Sequence, residues 1–192
     1  MESGTRRLLR PAWVASHILV VALLVATTNL GFWQLRRLDE RRAHNAWVAA
    51  RADEPAVALA TAFGALKEGN SPKDLRYVRV TVSGTWDVAS EVYLANRSRD
   101  GVPGVHAVTL LRVDGIHPSV GIVVDRGFVP RVYYLEGDRS AWAPDRGEVE
   151  VAGSLDVGRT GERGDGAEVD RIDLEALSDR WGIPLAPMWI RA

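Results

Sequence analysis

The chain has 192 residues, enough for one domain with its own core and a further segment beside it. Its net charge of −1, with 26% charged residues, offers no basic field for nucleic acid. Cysteine is absent, which excludes disulfides, thiolate metal sites, c-type haem attachment and the soft sulfur ligands of copper delivery. Arginine outnumbers lysine 22 to 2, a bias that fits a GC-rich bacterial genome and carries no functional weight.

Residues 1–10 form a short tail carrying Arg6, Arg7 and Arg10. From Pro11 to Leu35 no formally charged residue appears. As a helix this run would extend about 37 Å at 1.5 Å per residue, enough to cross a bilayer with some tilt. Trp13 near one end, and Phe32 and Trp33 near the other, sit where aromatic side chains favour the membrane interface. A cleaved signal peptide is the rival reading, but no Ala-x-Ala site follows and Asn29–Gln34 continues without a break. The expectation is an uncleaved transmembrane helix over 11–35, lying in the lipid bilayer. Arg6, Arg7 and Arg10 before the span against Arg36, Arg37, Arg41 and Arg42 after it slightly favour a cytoplasmic C-terminal side, but long domains translocate regardless of flanking charge, so orientation stays open.

Residues 36–52 lack Gly and Pro and alternate in charge, which predicts a solvated juxtamembrane helix with Asp39 and Glu40 pairing at three- and four-residue spacings. Asp53-Glu54-Pro55 breaks it, and residues 53–192 are expected to form a β-rich domain. Residues 56–68 are weakly helical. In Arg76–Ser83 the period becomes two, with valines on one face. Gly84–Asp87 is expected to bend the chain, and Glu91–Arg97 to form a second strand. Asp100-Gly101 marks a turn, Val105–Val113 a third strand, Asp114-Gly115 another turn and Gly121–Val124 a fourth strand. Val132–Arg146 reads as irregular, Glu148–Val157 as a fifth strand and Gly158–Gly166 as a polar loop. Asp173–Trp181 predicts a short helix closed by Gly182, and Leu185–Ile190 a last strand. The fold class is therefore α+β: an N-terminal transmembrane helix followed by a mainly antiparallel sheet or small barrel.

The sequence contains no nucleophile elbow, P-loop, dinucleotide fingerprint or zinc-protease motif. An extracytoplasmic hydrolase would have to be assembled from distant residues, and a purely structural β domain of a respiratory complex is a further alternative. The four histidines (His17, His44, His106 and His117) show no metal-site spacing. His17 lies within the span, where an ionisable group is costly unless neutral, paired or functional. Either a backbone carbonyl satisfies it or it serves as an axial nitrogen for haem iron. His106 falls in a strand and reads as a satisfied sheet histidine. Asp125–Pro130 follows an apolar strand and predicts a bulge or sharp exit. Arg126 there makes either an internal contact, to Asp125 or to backbone, or a contact with a partner protein.

Several stretches, taken in order, resemble the Surfeit locus protein 1 family of cytochrome c oxidase assembly proteins. Asn29–Arg37 matches its Gly-x-Trp-Gln-x-x-Arg segment through Gly31, Trp33, Gln34 and Arg36 or Arg37. Tyr77–Val80 with Gly84, Thr85 and Asp87 is similar to its first strand. Gly101–His106 resembles Gly-x-Pro-Gly-Tyr-His, including Gly104 and His106 but with Val105 for the aromatic. Asp125–Pro130 resembles Asn-Arg-Gly-Trp-Val-Pro, keeping Arg126, Gly127 and Pro130, and Glu148–Leu155 matches the strand that follows. The resemblance spans roughly residues 11–190.

It implies a non-enzymatic membrane protein of the bacterial cell membrane, with the tail at 1–10 cytoplasmic and the β domain extracytoplasmic. It implies subunit I of cytochrome c oxidase and other assembly factors as partners, and haem a as a transient cofactor. The family usually adds a second membrane helix, opening with a His and a Gln-Trp pair. No second apolar run precedes Ala192, so these residues alone are expected to hold little haem.

Overall fold

The computed structural model describes residues 11–113, 120–136, 139–161 and 166–192. The chain divides into two compact units, with the boundary between Ala50 and Arg51. The first is dominated by helix α1, Pro11–Asp53, in which no residue is buried. It is long and apolar enough to cross a membrane by length and composition.

Three polar side chains in its apolar stretch turn onto their own backbone. His17 Nδ1 lies 2.6 Å from the Trp13 carbonyl, Thr27 Oγ1 donates to Leu23 at 2.8 Å, and Asn29 Nδ2 donates to Val25 at 2.9 Å. Each bond spans one turn, so one polar atom of each side chain is satisfied within the helix itself. Further along, Arg37 covers the Trp33 ring at 5.4 Å, and Asp39 pairs with Arg42 at 3.9 Å across one turn. The helix stops at Asp53, two residues before Pro55, where proline disfavours continuation.

The second unit runs β1 (Val57–Ala58), α2 (Leu59–Lys67), β2 (Arg79–Arg99), β3 (Val102–Val113), β4 (Gly121–Pro130) and α3 (Arg131–Glu136). A 3-10 turn at Arg139–Trp142 leads to β5 (Glu148–Val157), β6 (Glu168–Val169), α4 (Leu174–Trp181) and β7 (Met188–Arg191). The strand order is β2-β3-β4-β7-β5, and β5 pairs back onto β2, so five strands close into a small barrel. Closure happens along β2 itself: Thr85 pairs with Arg112 of β3 on one edge and with Glu148 of β5 on the other. Ring pairings are antiparallel except β4 with β7. The fold is α+β, as the sequence predicts.

Side chains two apart on successive strands point inward, which the pleat requires. Val80 and Val82, Leu111 and Val113, Ile122 and Val124, and Met188 and Ile190 form the core with Val151 and Leu155. Leu59 and Ala62 of α2 join the same cluster. A second cluster sets Val92, Leu94, Val108, Val123 and Trp189 against Ile172 and Leu177. That cluster lies under α4, where Asp173 caps the N-terminus by accepting from the Ala176 N–H at 3.2 Å and left-handed Gly182 closes the other end.

Three expectations need correction. Residues 84–87 do not bend the chain, because β2 runs unbroken through them. A Cβ at Gly84 would collide with the Arg112 carbonyl, so this glycine permits close strand approach at the closure point. The irregularity comes later, as a register shift between Asp87 and Glu91. The fourth strand does not end at Val124 but continues to Pro130. Part of the stretch read as irregular, 132–146, is helical, in α3 and the 3-10 turn. The turn at Asp100-Gly101 is present, with both residues at positive φ. The Asp114-Gly115 turn, His117 and part of the 158–166 loop lie outside the described residues.

Candidate functional site

Two motif segments separated by some twenty residues of chain lie side by side in the barrel wall. Gly104 pairs with Pro130, His106 with Phe128 and Ala107 with Gly127. The next pair is Val108 with Asp125, which leaves Arg126 as the extra residue of a bulge. The bulge needs Gly127, whose φ of 126° is costly for any residue with a Cβ. Gly104 has a steric reason instead: a Cβ there would overlap the Phe128 ring and the Val129 carbonyl. Phe128 thus covers a glycine and stands edge-on to His106, with ring centroids 5.9 Å apart.

The bulge sends its two charged side chains to different partners. Asp125 is buried and accepts from His106 Nδ1 at 2.8 and 3.0 Å, and from the Gly127 N–H at 3.1 Å. Donation to a carboxylate fixes the proton on Nδ1 and leaves Nε2 as the free ring nitrogen. His106 is a satisfied sheet histidine on its Nδ1 side.

Arg126 does not meet Asp125, because the extra residue at the bulge sets the two side chains on different partners. Its Nε donates to Thr109 Oγ1 at 2.8 Å, its Nη1 to the Trp142 carbonyl at 2.8 Å and its Nη2 to Glu91 at 2.6 Å. The backbone alternative of the expected internal contact is therefore met through Trp142. The Trp86 ring lies 5.7 Å from the guanidinium. Glu91 also accepts from Thr109, Tyr93 and Arg139.

Burial pushes the Glu91 carboxyl up, but the bonds from Tyr93 and Thr109 and the Arg126 charge outweigh it and hold the group below the usual carboxylate range. Burial, and then the bond to Glu91, push the Tyr93 hydroxyl up from its ordinary value. These groups bond to one another inside the protein, so the cluster clamps the bulge rather than presenting a reactive centre. Sequence reasoning missed Glu91, Thr109 and Trp142. The available signal was Glu91 and Tyr93 two apart in an alternating strand, a pattern that puts a carboxylate and a phenol side by side on one face.

The remaining predicted residues lie on α1, in the first unit. Gly31 and Gln34 line a shallow groove with Leu35 and Leu38, while Trp33 and Arg36 are exposed. His17 is about 21 Å along the helix from Gly31, counted at 1.5 Å per residue, so the helix does not gather them into one site. Among the described residues no group of three or more His, Asp or Glu could hold a metal ion.

Were haem bound, the His17 imidazole has the chemistry to hold its iron. The ring's Nδ1 is tied to the Trp13 carbonyl, the usual arrangement for a ligating imidazole, and Val14, Ile18 and Val21, near it in the helix, are exposed.

The sequence model of the SURF1 family matches residues 21–192, most of the helix and the whole β domain. The chain belongs to the SURF1 family. Its members are known for cytochrome c oxidase assembly rather than catalysis, and that work implies association with the oxidase complex. A comparison with curated proteins finds no match. The ordered motifs in this SURF1-family chain now have physical reasons: the Gly104 and Arg126–Pro130 segments build one cross-strand unit, and the Gly31–Arg36 segment belongs to the long apolar helix α1.

Proposed function

We propose that this SURF1-family protein is a membrane-anchored assembly factor that assists haem a insertion into subunit I of cytochrome c oxidase, or the maturation of that subunit. The observation that carries this reading is the family match across both the apolar helix and the β domain. In this reading residues 11–35 span the cell membrane, residues 1–10 stay in the cytoplasm and the β domain stands outside it. Reporter fusions after Ala50 and after Gly161 should both register the extracytoplasmic side.

Haem a is cargo here, and His17 is the residue of this chain that we assign to hold its iron, through Nε2. The aliphatic side chains beside His17 offer one apolar wall, and a partner helix must supply the other. A site half built by each partner suits release, since the cargo leaves when the surfaces part. Subunit I and other assembly factors are the partners this requires.

The test is co-purification. An assembly factor accompanies immature subunit I and is lost as the oxidase matures. Stoichiometric retention in the mature enzyme would instead make the chain a structural subunit, and would overturn the proposal.

A further inference from the structure

The outer wall of the barrel carries a second feature, independent of the haem reading. A groove of about 560 Å³ opens beside His106 and Asp125, within the size range of small-molecule sites. Its floor is apolar, made by Leu94, Ile172 and Trp189, each nearly fully buried. Its rim carries four arginines, Arg97, Arg159, Arg171 and Arg191.

The hydrogen-bonding state of this groove is lopsided. Its buried carboxylates are already occupied. Asp125 serves His106 and Gly127, while Asp156 accepts from Arg76 at 2.8 Å and from the Val157 N–H at 2.8 Å. The guanidinium groups are not. Arg97 has only two contacts, both at 3.4 Å, to the carbonyls of Asn96 and Asp170, and Arg171 has one at 3.4 Å to Thr160. Arg191 stacks on Trp189 and reaches Asp156 at 3.6 Å. Arg159 has no side-chain partner among the described residues. Among the described residues Asp170 is the one exposed rim carboxylate against these four cations.

We propose that this groove binds the phosphate group of a small organic ligand, with the ligand's carbon portion on the Leu94–Ile172–Trp189 floor. Guanidinium forks match phosphate oxygens bidentately, and a phosphate offers more acceptor oxygens than a carboxylate to four such groups. The acceptor-poor, donor-rich rim disfavours a metal cation. A free phosphorylated metabolite and a lipid headgroup share this chemistry.

The full 192-residue chain in uncharged detergent tests it by isothermal titration. The probes are inorganic phosphate, glycerol 3-phosphate and dihexanoyl phosphatidic acid, each run against sodium chloride of matched ionic strength. Saturable binding of the two water-soluble phosphates assigns the groove to a free organic phosphate. Binding of the lipid analogue alone assigns it to a headgroup.

In either case Arg97→Gln with Arg171→Gln should weaken binding roughly tenfold or more, the scale of losing charge-assisted hydrogen bonds. Arg99→Gln, outside the groove, should leave it unchanged. Arg159→Gln removes the charge of an exposed side chain that has no hydrogen bond or ion pair to a described residue, so it reports on binding with little effect on the fold, and it too should weaken binding. Absence of saturable binding by all three probes overturns the proposal. So does affinity unchanged in both Arg159→Gln and the double variant.

Discussion

Replacing Arg126 with Met should be among the most damaging single changes in the β domain. The Arg126 side chain is 13% exposed and its partner Glu91 7%. The substitution removes three hydrogen bonds at once, to Thr109, Trp142 and Glu91, while leaving the Glu91 carboxylate in its buried place. Breaking one side of a buried ion pair costs about 3–5 kcal/mol, against a total domain stability of about 5–15 kcal/mol.

The Arg112–Asp87 pair supplies the internal comparison. Its contact is as short, at 2.5 Å, but the Arg112 side chain is 58% exposed. Arg112→Met should therefore cost about 1 kcal/mol or less. Urea unfolding of the unit Arg51–Ala192, followed by tryptophan fluorescence, measures both. Adding Glu91→Gln to Arg126→Met should cost less than the sum of the two single changes, because it removes a carboxylate left with only the exposed Arg139 as its cation. Equal costs for Arg126→Met and Arg112→Met would refute the view that burial, not contact distance, sets the strength of these pairs.

Gly104→Ala should destabilise the domain by about 1–3 kcal/mol through overlap with Phe128 and the Val129 carbonyl, and Phe128→Ala in the same chain should recover part of the loss in a thermal melt. Gly127→Val should cost more than Asp125→Asn. A β-branched residue resists a φ of 126°, whereas Asn keeps an acceptor for His106 and the Gly127 N–H; a neutral Gly127→Val in the same melt contradicts the bulge assignment. Stability should also fall in acid. Because the folded Glu91 carboxyl titrates below its unfolded value, its contribution is present above the unfolded carboxylate range and is lost as pH falls through the folded value. Glu91→Gln should flatten that part of a pH–stability curve.

Local chemistry made much of this fold readable. An uncharged run bracketed by arginines can hardly be anything but a long apolar helix. Valines at period two marked the inward face of β2, and Asp173 and Gly182 marked the ends of α4. What stayed hidden depends on pairing between distant segments. Gly84 and Asp87 carry turn chemistry, yet the strand continues through them because β3 pairs with all of 84–87 and β5 with 84 and 85. In sequence, Arg126 offers only Asp125, nearby backbone or a partner protein as contacts, whereas Glu91 is 35 residues earlier and reaches it only once the barrel closes. The cationic groove is likewise invisible in sequence, since Arg97, Arg159, Arg171 and Arg191 meet only through the fold.

The central claim is that this protein serves haem a delivery to, or maturation of, oxidase subunit I. The haem spectrum of oxidase purified from cells lacking the gene tests it most directly. The account predicts little assembled enzyme, with subunit I deficient in haem a and restored by the wild-type chain. Oxidase of normal yield, with a full complement of haem a, would contradict it.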